Sequence, residues 1–167
     1  MNEPTASAEW LRGDGPSSDV VLSSRVRLAR NLAGFNFNSK ATLTTRSRIV
    51  EVAKRHLTEA QLVSKLVWVD LEQAAAADRH LLVERHLISK QLAKADGPRA
   101  VAFSAPDERL AIMVNEEDHL RIQVMRSGLS AREAYANIND VDDRIESHVD
   151  YAYSPRFGYL TACPTNV

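Results

Sequence analysis

Apolar positions along the chain recur with two alternating periods, and they predict an interleaved set of strands and helices. A short helix is expected at Ala8 to Leu11, followed by a loop at Arg12-Gly13-Asp14-Gly15-Pro16-Ser17-Ser18-Asp19, which is dense in turn-forming residues. Val20-Val21-Leu22 opens a strand that runs to Leu28. On it Arg25 and Arg27 share one face, and Val26 and Leu28 the other. Ile49, Val52, Ala53, His56, Leu57 and Ala60 recur at helical spacing and predict a helix over 44–60. Leu66 to Val69 reads as a strand, and 75–88 as a second helix bearing Leu81, Leu82 and Leu87. After the turn Asp96-Gly97-Pro98, the runs Ala100–Ser104 and Leu110–Val114 predict an antiparallel pair. A further strand spans Leu120 to Met125. Ser130 followed by Glu133 has the spacing of a capping box. It opens a helix whose apolar stripe is Ala134, Ile138, Val141, Ile145 and Val149. A last strand, Tyr159 to Cys163, is stopped by Pro164. The expected class is α+β, a mainly antiparallel sheet with helices packed on it.

Composition narrows the picture. A chain of 167 residues suits one domain. Its net charge of −1 gives no global attraction to nucleic acid or to a membrane. No apolar run approaches the ~18 residues of a membrane span, and Met1 to Glu9 lack the basic-then-apolar pattern of a signal peptide. The expected location is cytoplasmic. Cys163 is the only cysteine, so no internal disulfide forms. The Arg12-Gly13-Asp14 triplet is too short to carry meaning.

Two segments concentrate chemistry. Asn115-Glu116-Glu117-Asp118-His119 sets three carboxylates between two apolar strands. An exposed hairpin turn would solvate them; alternatively a cation, Mg²⁺ or a guanidinium, would neutralise them. Ser23-Ser24-Arg25-Val26-Arg27 offers hydroxyls and guanidiniums beside a strand. It reads either as a basic edge that resists aggregation or as a set of forks for phosphate oxygens. The chain has no Walker-type glycine loop and no protein-kinase glycine loop, so any phosphate chemistry must use arginines.

Three ordered segments resemble the signatures of the ATP:guanido phosphotransferases, the family of creatine kinase, arginine kinase and the bacterial protein arginine kinases. They are Val21–Arg27, Val114–Arg121 and Gly158–Asn166, within a resemblance that covers residues 8 to 167. Glu9-Trp10-Leu11, Leu28–Leu32 and Leu81–Ser89 look like the bacterial protein arginine kinase versions, and only nineteen residues precede Val20, where creatine and arginine kinases carry a helical domain. The resemblance implies a short N-terminal tail at 1–19 and the front part of a guanido kinase catalytic domain at 20–167. It implies ATP and Mg²⁺ as cofactors and a protein with an exposed arginine as substrate. Ser24, Arg25, Arg27 and Arg121 would bind ATP phosphates, and Glu117 would hold the guanidinium and act as base. Cys163 would lie beside the guanidinium, and Glu116 and Asp118 would bind Mg²⁺ through its waters.

Two departures stand out. Ser104 occupies the place of a histidine that flanks adenine in the family. The chain also stops at Val167, before the glycine-rich turn, further arginines and a second substrate carboxylate, so it reads as a fragment or a naturally short chain. Alone it is expected to transfer no phosphate at a useful rate, and a homo-oligomer would form through the region beyond Val167. The alternatives are a non-catalytic remnant that binds nucleotide or phosphoarginine, and a kinase of free arginine.

Overall fold

The computed structural model describes residues 8–166. Five antiparallel strands form one sheet: β1 (Ser23–Arg30), β2 (Leu66–Asp70), β3 (Ala100–Ser104), β4 (Leu110–Val114) and β5 (Leu120–Ser127), in the order β1-β5-β4-β3-β2. The helices are α1 (Leu43–Glu59), α2 (Ala76–Glu84), α3 (Lys90–Lys94) and α4 (Ala131–Glu146). A two-stranded hairpin, β6 (Tyr153–Ser154) and β7 (Gly158–Tyr159), follows α4.

The pairing register sorts the sheet into two faces. Ala102 lies opposite Ile112, Ile112 opposite Ile122, and Ile122 opposite Leu28. These residues pack with Ile49, Ala53 and Leu57 of α1 and with Ile138 and Ile145 of α4. The alternate residues Val101, Ala111 and Met113 pack with Leu82, Leu87, Ile88 and Leu92 of the α2–α3 layer. Every residue of β4 is therefore buried, between helices on both sides. Full burial of a side chain such as Ile112 or Ile122 contributes roughly 1.5–3 kcal/mol. This is the α+β architecture that the hydrophobic pattern predicts.

Four local expectations are corrected. β1 begins at Ser23, not Val20. The amides of Val20 and Val21 donate to the carbonyl of Ser17 in a turn, and Val20 and Leu22 are exposed. The single helix expected over 75–88 is two: α2 stops at Glu84, His86 takes a left-handed backbone (φ 58°), and the Ser89 hydroxyl caps α3 by accepting from the Leu92 amide. Ser130 does stand at the start of α4, but its hydroxyl donates to the Ser127 carbonyl instead of closing a capping box. The last strand is only Gly158–Tyr159. Beyond it, the Thr161 hydroxyl donates to the carbonyls of Cys163 and Asn166, which curls 161–166 into a turn.

Near the N-terminus a single 3-10 turn, Glu9–Leu11, sits against the sheet. Ala8 and Trp10 pack on Met125 of β5, and Glu9 pairs with Arg126 at 2.8 Å.

Candidate active site

Arginines gather on one face of the sheet because of its register. Arg25 lies opposite Met125 and Arg27 opposite Gln123, and Arg121 stands two residues from Gln123 on the same strand. With side chains alternating along a strand, all three point to the face that carries Met113 and Ala111. The α2–α3 layer covers the β3–β4 part of that face, while Arg25 and Arg27 are exposed at the β1 side. The turn between α2 and α3 borders the row: the Gln123 amide donates to the His86 carbonyl, and the rings of Trp10 and His86 meet edge-on at 5.0 Å.

Among the described residues, Arg25 and Arg27 make no ion pair. Partial burial lowers the pKa of Arg27, and the like charges of Arg25 and then Arg121 lower it further, against the pull of Glu116. A row of guanidiniums that repel one another, two of them without an ion-pair partner, is suited to a polyanion, which would relieve the repulsion.

The turn between β4 and β5 carries the carboxylates. Asn115 takes a left-handed backbone (φ 60°), and its side-chain amide is anchored to the carbonyls of Arg46 and Pro98. Glu116 accepts from Arg121 Nη1 at 2.7 Å and from the Ser89 hydroxyl at 2.8 Å. Burial raises its proton affinity, but the bonds from Ser89, Arg121 and the Glu117 amide outweigh that and hold its pKa below the usual value. Glu117 is exposed and borders a cavity of about 270 Å³ shared with Gln91, Leu92, Ala95 and Glu116. Its only side-chain partner among the described residues is the Asn166 amide, at 3.4 Å.

Asp118 is buried and fully engaged. Its Oδ1 accepts from Asn31 Nδ2 and from the Ala162 amide, both at 2.6 Å, and its Oδ2 accepts from Asn166 Nδ2 at 3.0 Å. Asn166 thus contacts both Glu117 and Asp118, and its own amide donates to the Cys163 carbonyl at 3.0 Å. The turn carrying Cys163 is held against the turn carrying Glu117. Cys163 is half-buried, with Sγ 2.9 Å from the Thr165 hydroxyl.

One of the expected roles conflicts with this geometry. Ser24 lies on the opposite face from Arg25 and Arg27; its hydroxyl donates to the Gly128 carbonyl and accepts from the Ser130 amide, so it fastens the start of α4. The carboxylates of Glu116 and Asp118 accept hydrogen bonds from Arg121, Ser89, Asn31, Ala162 and Asn166. Among the described residues, no cluster of three or more His, Cys, Asp or Glu side chains is placed to hold a metal ion. Ser104 is occupied too: it donates to Asp107 Oδ1 at 2.6 Å and accepts from the Leu110 amide at 3.1 Å, closing the β3–β4 turn.

The sequence reading assigned nothing to Asn31 or to the side chain of His119. His119 is fully buried beneath the carboxylate turn. Its Nδ1 accepts from the Leu32 amide at 3.0 Å, so the proton sits on Nε2, which donates to the Asn36 carbonyl at 3.0 Å. Burial lowers its pKa against the opposing effects of the Asn36 carbonyl and Asp118. A histidine kept neutral in the fold but free to charge when unfolded makes stability fall with acidification, beginning near its ordinary pKa of 6.5. The expected slope approaches ~1.4 kcal/mol per pH unit below that point. Thermal melts from pH 7.5 to 5.5 measure it, and His119→Gln should flatten the curve; an unchanged slope in the variant would assign the acid sensitivity elsewhere.

Comparison with known proteins places this arrangement. Residues 48–167 match the family described as ATP:guanido phosphotransferase, C-terminal catalytic domain. The chain belongs to the ATP:guanido phosphotransferase family. This guanido phosphotransferase chain is 46% identical over 165 residues to the protein-arginine kinase of Symbiobacterium thermophilum and 45% identical over 163 residues to that of Halalkalibacterium halodurans. Each comparison covers 97% of this chain but 46% of the relative, so the chain spans about half the length of the curated relatives it matches. Among solved structures, the duplicated taurocyamine kinase of Schistosoma mansoni, solved with transition-state-analogue components bound, superposes with a TM-score of 0.81 at 25% identity, covering 92% of this chain and 23% of that one. Lombricine kinase shares the fold, with a TM-score of 0.75 at 20% identity over 99% of this chain and 50% of that one. Among the described residues of the guanido phosphotransferase chain, no helix is long and apolar enough to cross a membrane.

Proposed function

We propose that this chain carries the phosphate-holding arginines and the guanidinium-holding carboxylate of a site that transfers the γ-phosphoryl group of ATP to arginine side chains of proteins. The observation that carries the reading is the row Arg25, Arg27 and Arg121 on one open sheet face, with exposed Glu117 at the turn that Arg121 follows. The names of the curated relatives support a protein arginine as acceptor, and the open cavity beside Glu117 suits a side chain offered from outside.

In this reading Arg25 and Arg27 grip the triphosphate. Glu116 holds Arg121 by Nη1, and the remaining N–H groups of that guanidinium would serve phosphate oxygens. Little covalent work falls to the protein in phosphoryl transfer; positioning and charge stabilisation dominate. A guanidinium is a poor nucleophile until one nitrogen gives up a proton. Glu117 accepts that proton as the nitrogen attacks the γ-phosphorus, and ADP leaves with the bridging oxygen. Cys163, held near Glu117 through Asn166, flanks the guanidinium. A magnesium ion arriving with ATP would be held by phosphate oxygens and water, and Glu116 and Asp118 would meet it through those waters.

The test is phosphorylation of an arginine-rich protein with labelled ATP and Mg²⁺, using the chain alone and joined to the complementary half of the Symbiobacterium relative. The joined form should give acid-labile phosphate on arginine and leave free arginine unlabelled. No acid-labile label from the joined form, under conditions where the intact relative labels the same protein, would sink the proposal. Labelling of free arginine at an equal rate would replace it with a small-substrate kinase.

A further inference from the structure

We infer that Asn31 is a positioning residue, whose buried amide locks the turn carrying Glu117 to the turn carrying Cys163 and so fixes the spacing of the two groups that flank the guanidinium. The inference rests on the functional reading above for what the spacing is for, but the lock itself is a matter of geometry.

Asn31 follows β1 directly and is 1% exposed. Its polar atoms bond three other segments between them. Nδ2 donates to Asp118 Oδ1 at 2.6 Å and to the Leu160 carbonyl at 3.1 Å, while Oδ1 accepts from the His119 amide at 2.9 Å. Its backbone carbonyl accepts from the Ala152 amide at 2.7 Å. One side chain thus joins the end of β1, the carboxylate turn and the segment that leads from β7 to Cys163. Asp118 extends the lock by accepting from the Ala162 amide, one residue before Cys163, and from Asn166 beyond it.

The chemistry of the lock demands an asparagine. Asp118 accepts and cannot donate when ionised, and the His119 amide donates and cannot accept. A residue between them must offer a donor to one and an acceptor to the other, which an amide does and a carboxylate or an alkyl chain does not. Buried amide-to-carboxylate bonds are charge-assisted and stronger than neutral ones, and an orphaned partner carries a large desolvation cost. Glu117 and Cys163 themselves share no direct bond. Their relative placement therefore depends on this buried pair and on Asn166 at the rim.

Because Cys163 is the only cysteine, its alkylation rate reports on its turn without interference. Asn31→Leu, close in size but without the bonds, should raise the rate of Cys163 modification by iodoacetamide about 10- to 100-fold, the loss expected from one charge-assisted bond. In the form joined to the complementary half, KM for the arginine substrate should rise while the Kd for ATP stays within about 2-fold, since the phosphate arginines lie outside the lock. Asp118→Asn serves as the second variant if Asn31→Leu does not fold. It removes a buried charge, keeps an acceptor for Asn31 and turns a donor toward Asn166, so it should release Cys163 to a lesser degree. A folded Asn31→Leu or Asp118→Asn protein with wild-type alkylation kinetics overturns the inference, whatever its melting temperature. Faster alkylation in a protein that transfers no phosphate to arginine keeps the lock and rejects the functional reading.

Discussion

Glu117→Gln should reduce phosphoryl transfer to arginine by about 10²- to 10⁴-fold, the usual worth of a general base, while ATP binds as before. The split follows from where Glu117 stands. It is the exposed member of the carboxylate turn, borders the cavity at Gln91, Leu92 and Ala95, and makes no hydrogen bond or ion pair with the arginine row. Glutamine preserves its size and can still accept one bond from a guanidinium, so positioning is partly kept. The charge that steadies the guanidinium and the acceptor for its proton are both lost. Glu116→Gln should behave differently, because Glu116 is bonded to Arg121 and Ser89. Losing that charge loosens Arg121 and should weaken ATP binding as well as turnover. Steady-state kinetics paired with ATP titration on the two variants separate the roles. If Glu117→Gln retained wild-type turnover, the base would have to be sought elsewhere.

How much of this was legible in the sequence varies with the range of the interaction. The apolar run Leu110–Val114, the alternation from Leu120 to Val124 and the apolar stripe of α4 are local signals, and they placed the central strands and that helix, although Val149 falls beyond its end at Glu146. The run Val20-Val21-Leu22 misled because β-branched and apolar composition does not record whether a partner strand is present; pairing with β5 starts at Ser23, opposite Ser127. The break between α2 and α3 was hidden because the residue that adopts the left-handed backbone is His86, not a glycine or asparagine that would have marked it. At the site, strand periodicity was enough to put Arg25 and Arg27 on one face, and the register adds Arg121 to it; the roles of these arginines and of Glu117 came only from the family resemblance. Composition alone did not separate Glu117 from its neighbours Glu116 and Asp118; the resemblance did so by assigning them different roles. Asp118 is set apart by Asn31, which is 87 positions away in sequence, and by Ala162, which is 44 away. A one-dimensional reading sees three adjacent carboxylates; the fold uses one to hold an arginine, one to tie turns together and leaves one open. The same reasoning applies to Ser24, whose motif position looks like phosphate chemistry but whose strand parity turns it toward α4.

Arg27→Ala should lower kcat/KM by about 10²- to 10³-fold, the range for removing one preorganised charge donor from a transition state. Arg27 is the best choice within the row. It stands opposite Gln123, between Arg25 and Arg121 along that face, and burial first, then the like charges of both neighbours, lower its pKa. Part of the loss should appear as weaker ATP binding, with a shallower dependence on salt, because one fewer cation meets the triphosphate. Arg27→Lys restores the charge but not the planar fork, so it should recover affinity more fully than turnover. Arg132, exposed on α4 on the far side of the sheet, supplies the control: Arg132→Ala removes the same net charge and should change neither quantity. ATP titrations at two salt concentrations on the three variants decide the matter. Equal ATP affinities for Arg27→Ala and Arg132→Ala would mean that the triphosphate lies elsewhere, and the unpaired Arg25 and Arg27 would then need another anion.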